Sequence, residues 1–374
     1  MCGNQRVLTA AEEIRFALRA LYQSRGYALY RMGKFEEYDL YGRNKDFLVS
    51  DRVITFTDTG GKLMALKPDV TLSIVKNTRD GAGAVQKLCY DENVYRVAKG
   101  TGTFREIGQT GLECIGGIDG CCTAEVLLLA AESLRRISCE WALEITHLGI
   151  LSGVLDTVTR RPEARDALLR CVSAKNRHGI RETCREYGID PDQAAALEAL
   201  LDVGGGADEA LGKLDALCAG LGLSAEAGEL RSAVSVFRDD MREGVQIDFS
   251  LTGDLNYYNG ILFQGFVSGV PGSVLSGGCY DGLMRRMGRR DSAVGFAVYL
   301  DELERLREQP REFDADAVLL YADDVSPVDV ERAAEYLRRE KGSVLCARSV
   351  PAGGRYREIW KLEDGEVIRV ENDA

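Results

Sequence analysis

The stretch from Tyr90 to Gly117, YDENVYRVAKGTGTFREIGQTGLECIGG, constrains the chain most, because it reads as two buried strands joined by a basic, glycine-spaced loop. Val94, Arg96 and Phe104 to Ile107 mix β-branched, aromatic and cationic residues, the pattern of a strand packed on one face and turned to a ligand on the other. Gly100 and Gly102 free the connecting loop. On such strands Arg96 and Arg105 point into a shared space, where a guanidinium suits a carboxylate or phosphate bidentately. The same residues also read as a plain hairpin with surface ion pairs, and local pattern alone leaves both readings open.

Whatever binds there, the chain as a whole is not built for a polyanion. Its formal charge is −12 and its sequence pI about 5.0, so no domain-wide basic surface faces a nucleic-acid backbone. With 45% hydrophobic and 28% charged residues it is globular material, and 374 residues suggest two or three domains. Eleven cysteines are scattered without a CxxC pair or a cysteine–histidine cluster, which points to reduced thiols and to no metal or other cofactor. His147 and His178, the two histidines, read as structural. No apolar leader and no run long enough to span a membrane is present, so a cytoplasmic protein is expected.

Around the central stretch the periodicity gives an order of elements. Ala10 to Arg25 places Ile14, Leu18 and Leu21 on one helical face, and Gly26 is a fitting stop. Tyr27 to Arg31 is a strand candidate running into an acidic turn. Val53 to Thr57 and Leu63 to Leu66 alternate around Gly60-Gly61 as a hairpin, and Pro68 opens the next element with Asp69 and Thr71 near a helix N-terminus. Thr123 to Arg136 is a helix and Glu140 to Leu148 a strand. From about 160 to 243 apolar residues recur at helical spacing between glycine joints such as Gly204-Gly205-Gly206, an inserted block of short helices. Strand texture returns at Val245, with Tyr257-Tyr258 and Asn259-Gly260 at a strand–turn–strand junction and Gly277-Gly278 before Tyr280. Residues 311–374 read as a separate small α/β unit after a core of residues 1–310.

This order resembles the catalytic core of class II aminoacyl-tRNA synthetases, specifically the histidyl-tRNA synthetase family, over nearly all of residues 8 to 310. ALKPDVT is similar to that family's LRPEGT, FREIGQTGLECIG to its motif-2 strand, and DLNYYNGILFQ to its histidine-recognition segment LDYYTGTVFE. SGGCYDGL and AVGFAVYLDEL are similar to the start and end of motif 3. The resemblance implies an α+β fold: a mixed, mostly antiparallel sheet flanked by helices, with a helical insertion and a C-terminal unit smaller than an anticodon-binding domain. It also implies a histidine pocket, with Asp69 facing the α-ammonium, Gln109 and Glu113 from the motif-2 strand, and Tyr257, Tyr258 and Tyr280 around the imidazole. Thr71, Arg96 and Leu255 complete the expected effector site. Those residue types suit the ligand on their own terms, since carboxylates and an amide accept from N–H groups and tyrosine rings wall a flat, cation-capable ring. The alternative is that they are ordinary residues of a packed sheet.

The nucleotide apparatus that the resemblance would require is altered. The motif-3 arginine position holds Glu302, the arginine before LDYY appears as Gly253, GGRYD has become GGCYD with Cys279, and the motif-1 proline position is Gly33. A cation aimed at phosphate charge has been replaced by an anion, and the loss of one such donor commonly costs about 10²–10³-fold in rate. A histidine-shaped pocket without activating residues resembles the paralogues that serve as non-catalytic regulatory subunits of ATP phosphoribosyltransferase. The resemblance then implies the short-form catalytic subunit as partner, histidine as effector, a homodimer within a hetero-oligomer, and no tRNA. The competing expectations are a divergent active histidyl-tRNA synthetase using Arg96 and Arg105 for ATP, and a stand-alone ligase or binding protein on the same fold.

Overall fold

Alternation along the central strands decides which face each residue serves. In the strand Phe104–Gly116, Leu112 and Cys114 pack into the larger apolar core, while Glu113 and Ile115 turn to the other side. The computed structural model describes residues 8–45, 48, 52–81, 83–98, 101–253, 257–307 and 313–370, with the backbone alone at 191, 192 and 304–307. Two compact units divide the chain, one of residues 11–306 and one of residues 307–374 with the first ten residues.

The larger unit is built on a mixed sheet of nine described strands. Their spatial order is Ala28–Leu29, Gln86–Val97, Phe104–Gly116, Ser292–Tyr299, Leu275–Cys279, Ile261–Val267, Trp141–His147, Val245–Asp248 and Gly204–Gly206. The Ala28–Leu29/Gln86–Val97 and Trp141–His147/Val245–Asp248 pairs run parallel and the rest antiparallel, the fold class that the sequence implies. The hairpin Gln86–Val97/Phe104–Gly116 is in continuous register from Gln86 opposite Ile115 to Val97 opposite Phe104, which sets Arg96 directly across from Arg105.

One face of this sheet is covered by the helix Gly120–Ile137, which buries Leu127, Ala130, Ala131 and Leu134 completely. Asp119 caps it by accepting from the Cys122 N–H at 2.8 Å, and Arg135 and Arg136 lie in its last turn, where the helix dipole favours cations. A Cβ on Gly265 would stand 2.7 Å from Leu134, so the helix rests on bare backbone there. The helix Ala10–Ser24 adds Ile14, Leu18, Leu21 and Tyr22 to the same core, with the Tyr22 ring edge-on to Phe296. Each fully buried aliphatic side chain of this kind contributes about 1.5–3 kcal/mol.

The opposite face carries a smaller cluster. It joins Tyr90, Val94 and Ile115 of the hairpin to Leu72 and Ile74 of the helix Thr71–Asn77 and to Leu283 and Met284 of the helix Asp281–Arg286. The expected hairpin over 53–66 forms as Thr55–Thr57 and Leu63–Leu66, in a separate three-stranded sheet completed by Phe35–Glu37. The stretch read as an acidic turn contains that third strand and the helix Tyr38–Arg43. Gly204–Gly206, read as a joint between helices, is itself an edge strand, because ladder hydrogen bonds need backbone only.

The insertion contains the helices Pro162–Ser173, Arg177–Tyr187, Pro191–Asp202, Ala207–Leu221 and Ser224–Val234. Gly188 and Gly222 end two of them at φ of 65° and 73°. The smaller unit has the strand order Val344–Ala347, Ala315–Leu320, Tyr356–Glu363 and Glu366–Val370. Its helix Pro327–Lys341, capped by Ser326, buries Ala333, Ala334 and Leu337. Among the described residues no helix is long and apolar enough to cross a membrane.

Candidate ligand-binding site

The site is assembled around Glu113, a carboxyl only 2% exposed in the middle of the central sheet. Its oxygens are both held: Thr71 donates to Oε1 at 2.7 Å, and the Tyr280 hydroxyl donates to Oε2 at 2.5 Å. Gly295 makes this possible. It sits directly opposite Glu113 in the neighbouring strand, and a Cβ there would stand 1.9 Å from Glu113 Oε2 and 2.4 Å from the Leu112 carbonyl. Leu88, Glu113, Gly295 and Gly278 form one row across four strands, and Tyr258 lies over Gly278 with its Cδ1 2.8 Å from the position of a Cβ. Tyr90 lies over Gly111 in the same way and donates to the Phe296 carbonyl at 3.4 Å. Three glycines thus make a floor of bare backbone on which functional side chains rest flat.

The remaining groups come from loops at the strand ends. Asp69 follows Pro68 and accepts from the Leu72 N–H at 2.8 Å, which fixes the first turn of Thr71–Asn77 and brings Thr71 under Glu113. Arg96 donates its Nε–H to the Pro68 carbonyl at 3.0 Å, and its charge acts on Asp69. The Tyr257 and Tyr258 rings are 4.5 Å apart, and Tyr257 and Tyr280 are 6.0 Å apart. Asn259 holds this aromatic wall in place: its amide donates to Asp281 at 3.0 Å and accepts from the Asp281 N–H at 2.7 Å. The other Asp281 oxygen accepts from the Ala293 N–H at 3.0 Å.

Electrostatically, the pocket is a place where negative charge is costly until a cation arrives. Burial pushes the Glu113 carboxyl up to about 8, against the lowering effect of its two hydroxyl donors. Burial raises Asp69 as well, opposed by the Leu72 N–H and by Arg96. Tyr257 and Tyr280 are held well above the usual phenol range by burial, with the nearby carboxyls adding to it.

Asp69, Thr71, Arg96, Glu113, Tyr257, Tyr258 and Tyr280 are therefore linked by contact or charge. Gln109 is buried on the same strand, two alternations from Glu113 and so on its face. Leu255 lies outside the described residues. Sequence reasoning did not single out Tyr90, Asn259 or Asp281 as site builders; Tyr90 faces Gly111 within one hairpin, a local pairing that could have found it, whereas Asn259 and Asp281 meet only through the fold. His147 caps the helix Leu148–Val158 by accepting from the Ile150 N–H at 3.3 Å, and His178 is exposed beside Glu182.

Arg96 also lines a cavity of about 330 Å³ shared with Arg105, Ile107, Tyr299, Asp301 and Glu302. The two arginines do face one space, as their strand positions suggest. Asp301 pairs with Arg105 at 3.4 Å, and burial together with the adjacent Glu302 raises its carboxyl. Among the described residues no group of three His, Cys, Asp or Glu side chains could hold a metal ion.

The family model for histidyl-tRNA synthetase matches residues 5–303. A curated ATP phosphoribosyltransferase regulatory subunit from Anaeromyxobacter sp. is 30% identical over 296 residues, 77% of this chain and 86% of that protein. The chain belongs to the histidyl-tRNA synthetase family, among its ATP phosphoribosyltransferase regulatory subunits. A regulatory subunit of the same description from Clostridium kluyveri is 27% identical over 344 residues, covering 89% of this chain and 87% of its own length. A solved structure described as an ATP phosphoribosyltransferase regulatory subunit/histidyl-tRNA synthetase from Bacillus halodurans matches with a TM-score of 0.74. At 22% identity over 96% of this chain and 97% of that one, it shows the shared fold.

Proposed function

We propose that the chain is a non-catalytic regulatory subunit of ATP phosphoribosyltransferase, the first step of histidine biosynthesis, and that the Glu113 pocket senses histidine. The observation that carries the sensing role is the buried Glu113 carboxyl, pinned by Thr71 and Tyr280 at the end of an aromatic wall. Asp69 receives the α-ammonium, Glu113 and Gln109 take N–H groups, Tyr257, Tyr258 and Tyr280 enclose the imidazole, and Arg96 meets the carboxylate. Thr71 orients Glu113. In the adjoining cavity Asp301 and Glu302 repel the polyphosphate that amino-acid activation would require.

Histidine acts by linkage. It binds differently to two arrangements of a hetero-oligomer containing a homodimer of this chain and the short-form catalytic subunit, so that subunit responds to a ligand it need not touch. Residues 311–374 stand as a reduced counterpart of an anticodon-binding domain, and the complex works in the cytoplasm without tRNA.

Two experiments bear on this reading. Asp69→Ala with Glu113→Ala is expected to abolish histidine feedback on the reconstituted complex while sparing its assembly; retained feedback would remove histidine from this site. The purified chain is expected to give no histidine-dependent exchange of pyrophosphate into ATP, and exchange at ordinary synthetase rates would restore the aminoacylating reading.

A further inference from the structure

The helical insertion contains a cavity that the histidine pocket and its neighbour do not explain. It lies between the helices Arg177–Tyr187 and Pro191–Asp202 and has a volume of about 520 Å³, larger than the space beside Arg96. Its floor is Cys184, 3% exposed, with Ile189 packed on the core beside it, and its far wall is Ala194 and Ala195. Small residues leave the space open. Gly188 adds no atoms, and it holds φ of +65° with nothing within 4 Å of where a Cβ would stand.

Three charged groups rim the cavity, Arg181, Arg185 and Glu198. Arg181 and Glu198 neutralise one another through a two-pronged pair, Nε to Oε1 at 2.6 Å and Nη2 to Oε2 at 2.8 Å. That fork also ties one helix to the other, so the walls are set before anything enters. Arg185 has no ion-pair partner among the described residues, in a chain whose carboxylates outnumber its basic groups by 59 to 47. Binding sites for small molecules are concave, mostly apolar, about 300–1,000 Å³ and fixed by a few polar groups, and they occur between the helices of bundles.

We propose that this cavity is a second ligand site, separate from the histidine pocket, for a small amphipathic carboxylate whose apolar body lies on Ile189, Ala194 and Ala195 and whose head pairs with Arg185. The planar guanidinium accounts for the head group, since it matches a carboxylate in two parallel hydrogen bonds.

The test is a titration of the full chain, methyl-labelled at isoleucine and alanine, with decanoate and with decanol, read by nuclear magnetic resonance. Decanoate is expected to shift the Ile189 and Ala195 methyls saturably and to bind at least about fivefold more tightly than decanol. Arg185→Gln is expected to bring decanoate down to the decanol level, and Ala195→Leu, which fills the wall, to weaken both ligands. Unshifted methyls elsewhere in the core establish that each variant is folded. No saturable shift up to the solubility of decanoate, equal binding of the two ligands, or an unchanged affinity in Arg185→Gln would overturn the site. All of these readouts are independent of histidine.

Discussion

At the scale of single residues, the chemistry of the pocket turns on a carboxyl that the fold prefers to keep protonated. Burial raises Glu113 from an ordinary 4.5 to about 8, so between those values the native state holds a proton that the unfolded chain has lost. Stability from this group therefore falls as pH rises from about 4.5 to about 8. Glu113→Gln removes the titration and keeps the shape, so its melting temperature relative to the parent is expected to climb steadily between pH 5 and pH 8. A difference that stays flat across that range would contradict the assignment. On the proposed reading, histidine binding needs the ionised carboxylate and so releases the proton. Calorimetry in buffers of different ionisation enthalpy should record that release in the parent chain and its loss in Glu113→Gln. A second residue-scale prediction concerns the floor. Gly295→Ala places a methyl 1.9 Å from Glu113 Oε2 and 2.4 Å from a backbone carbonyl that cannot swing aside. It should cost about 1–3 kcal/mol in chemical denaturation and remove histidine binding with it. Asp69, Glu113 and the three tyrosines are legible in the sequence because their segments keep the family's spacing. The glycine floor is not, since Gly295 faces Glu113 across a gap of nearly two hundred residues that only strand pairing closes.

At the scale of elements, the loop that delivers Asp69 is anchored by an ion pair deep in the fold. Lys67 is 1% exposed and pairs with Glu92 of the strand Gln86–Val97, which also accepts from the Met32 N–H at 3.4 Å. Removing one partner of such a pair leaves a buried charge alone, at a cost of about 3–5 kcal/mol. Lys67→Met is expected to lose about that much by urea titration, and Lys67→Met with Glu92→Leu to recover most of it; additive losses would mean that the two residues act separately. The elements most visible in the sequence are those whose pattern is local, such as the helix Gly120–Ile137 with its capping aspartate. Those that were hidden owe their state to a partner. Phe35–Glu37 becomes a strand by pairing with Leu63–Leu66, and Gly204–Gly206 by pairing with Val245–Asp248, although neither has the composition of a strand.

For the whole molecule, charge and ligand linkage make the remaining expectations. With a formal charge of −12 the chain has no excess of cations to displace the counterions condensed on tRNA phosphates, so gel-shift titration at low salt should show no saturable binding. Histidine at about 100 times its dissociation constant should add about 2.7 kcal/mol to the stability of the folded chain, and nothing to Asp69→Ala with Glu113→Ala. The row that carries Glu113, Gly295 and Gly278 has one more effect. Side chains alternate with a period of two along a strand, so a slip of one position between Phe104–Gly116 and Ser292–Tyr299 would set Val294 or Phe296 against Glu113 and present one strand's residues to the wrong face. The binding site would then not exist. On the proposed reading, a copy that takes up histidine has these strands correctly aligned, and a copy with slipped strands would give no histidine response.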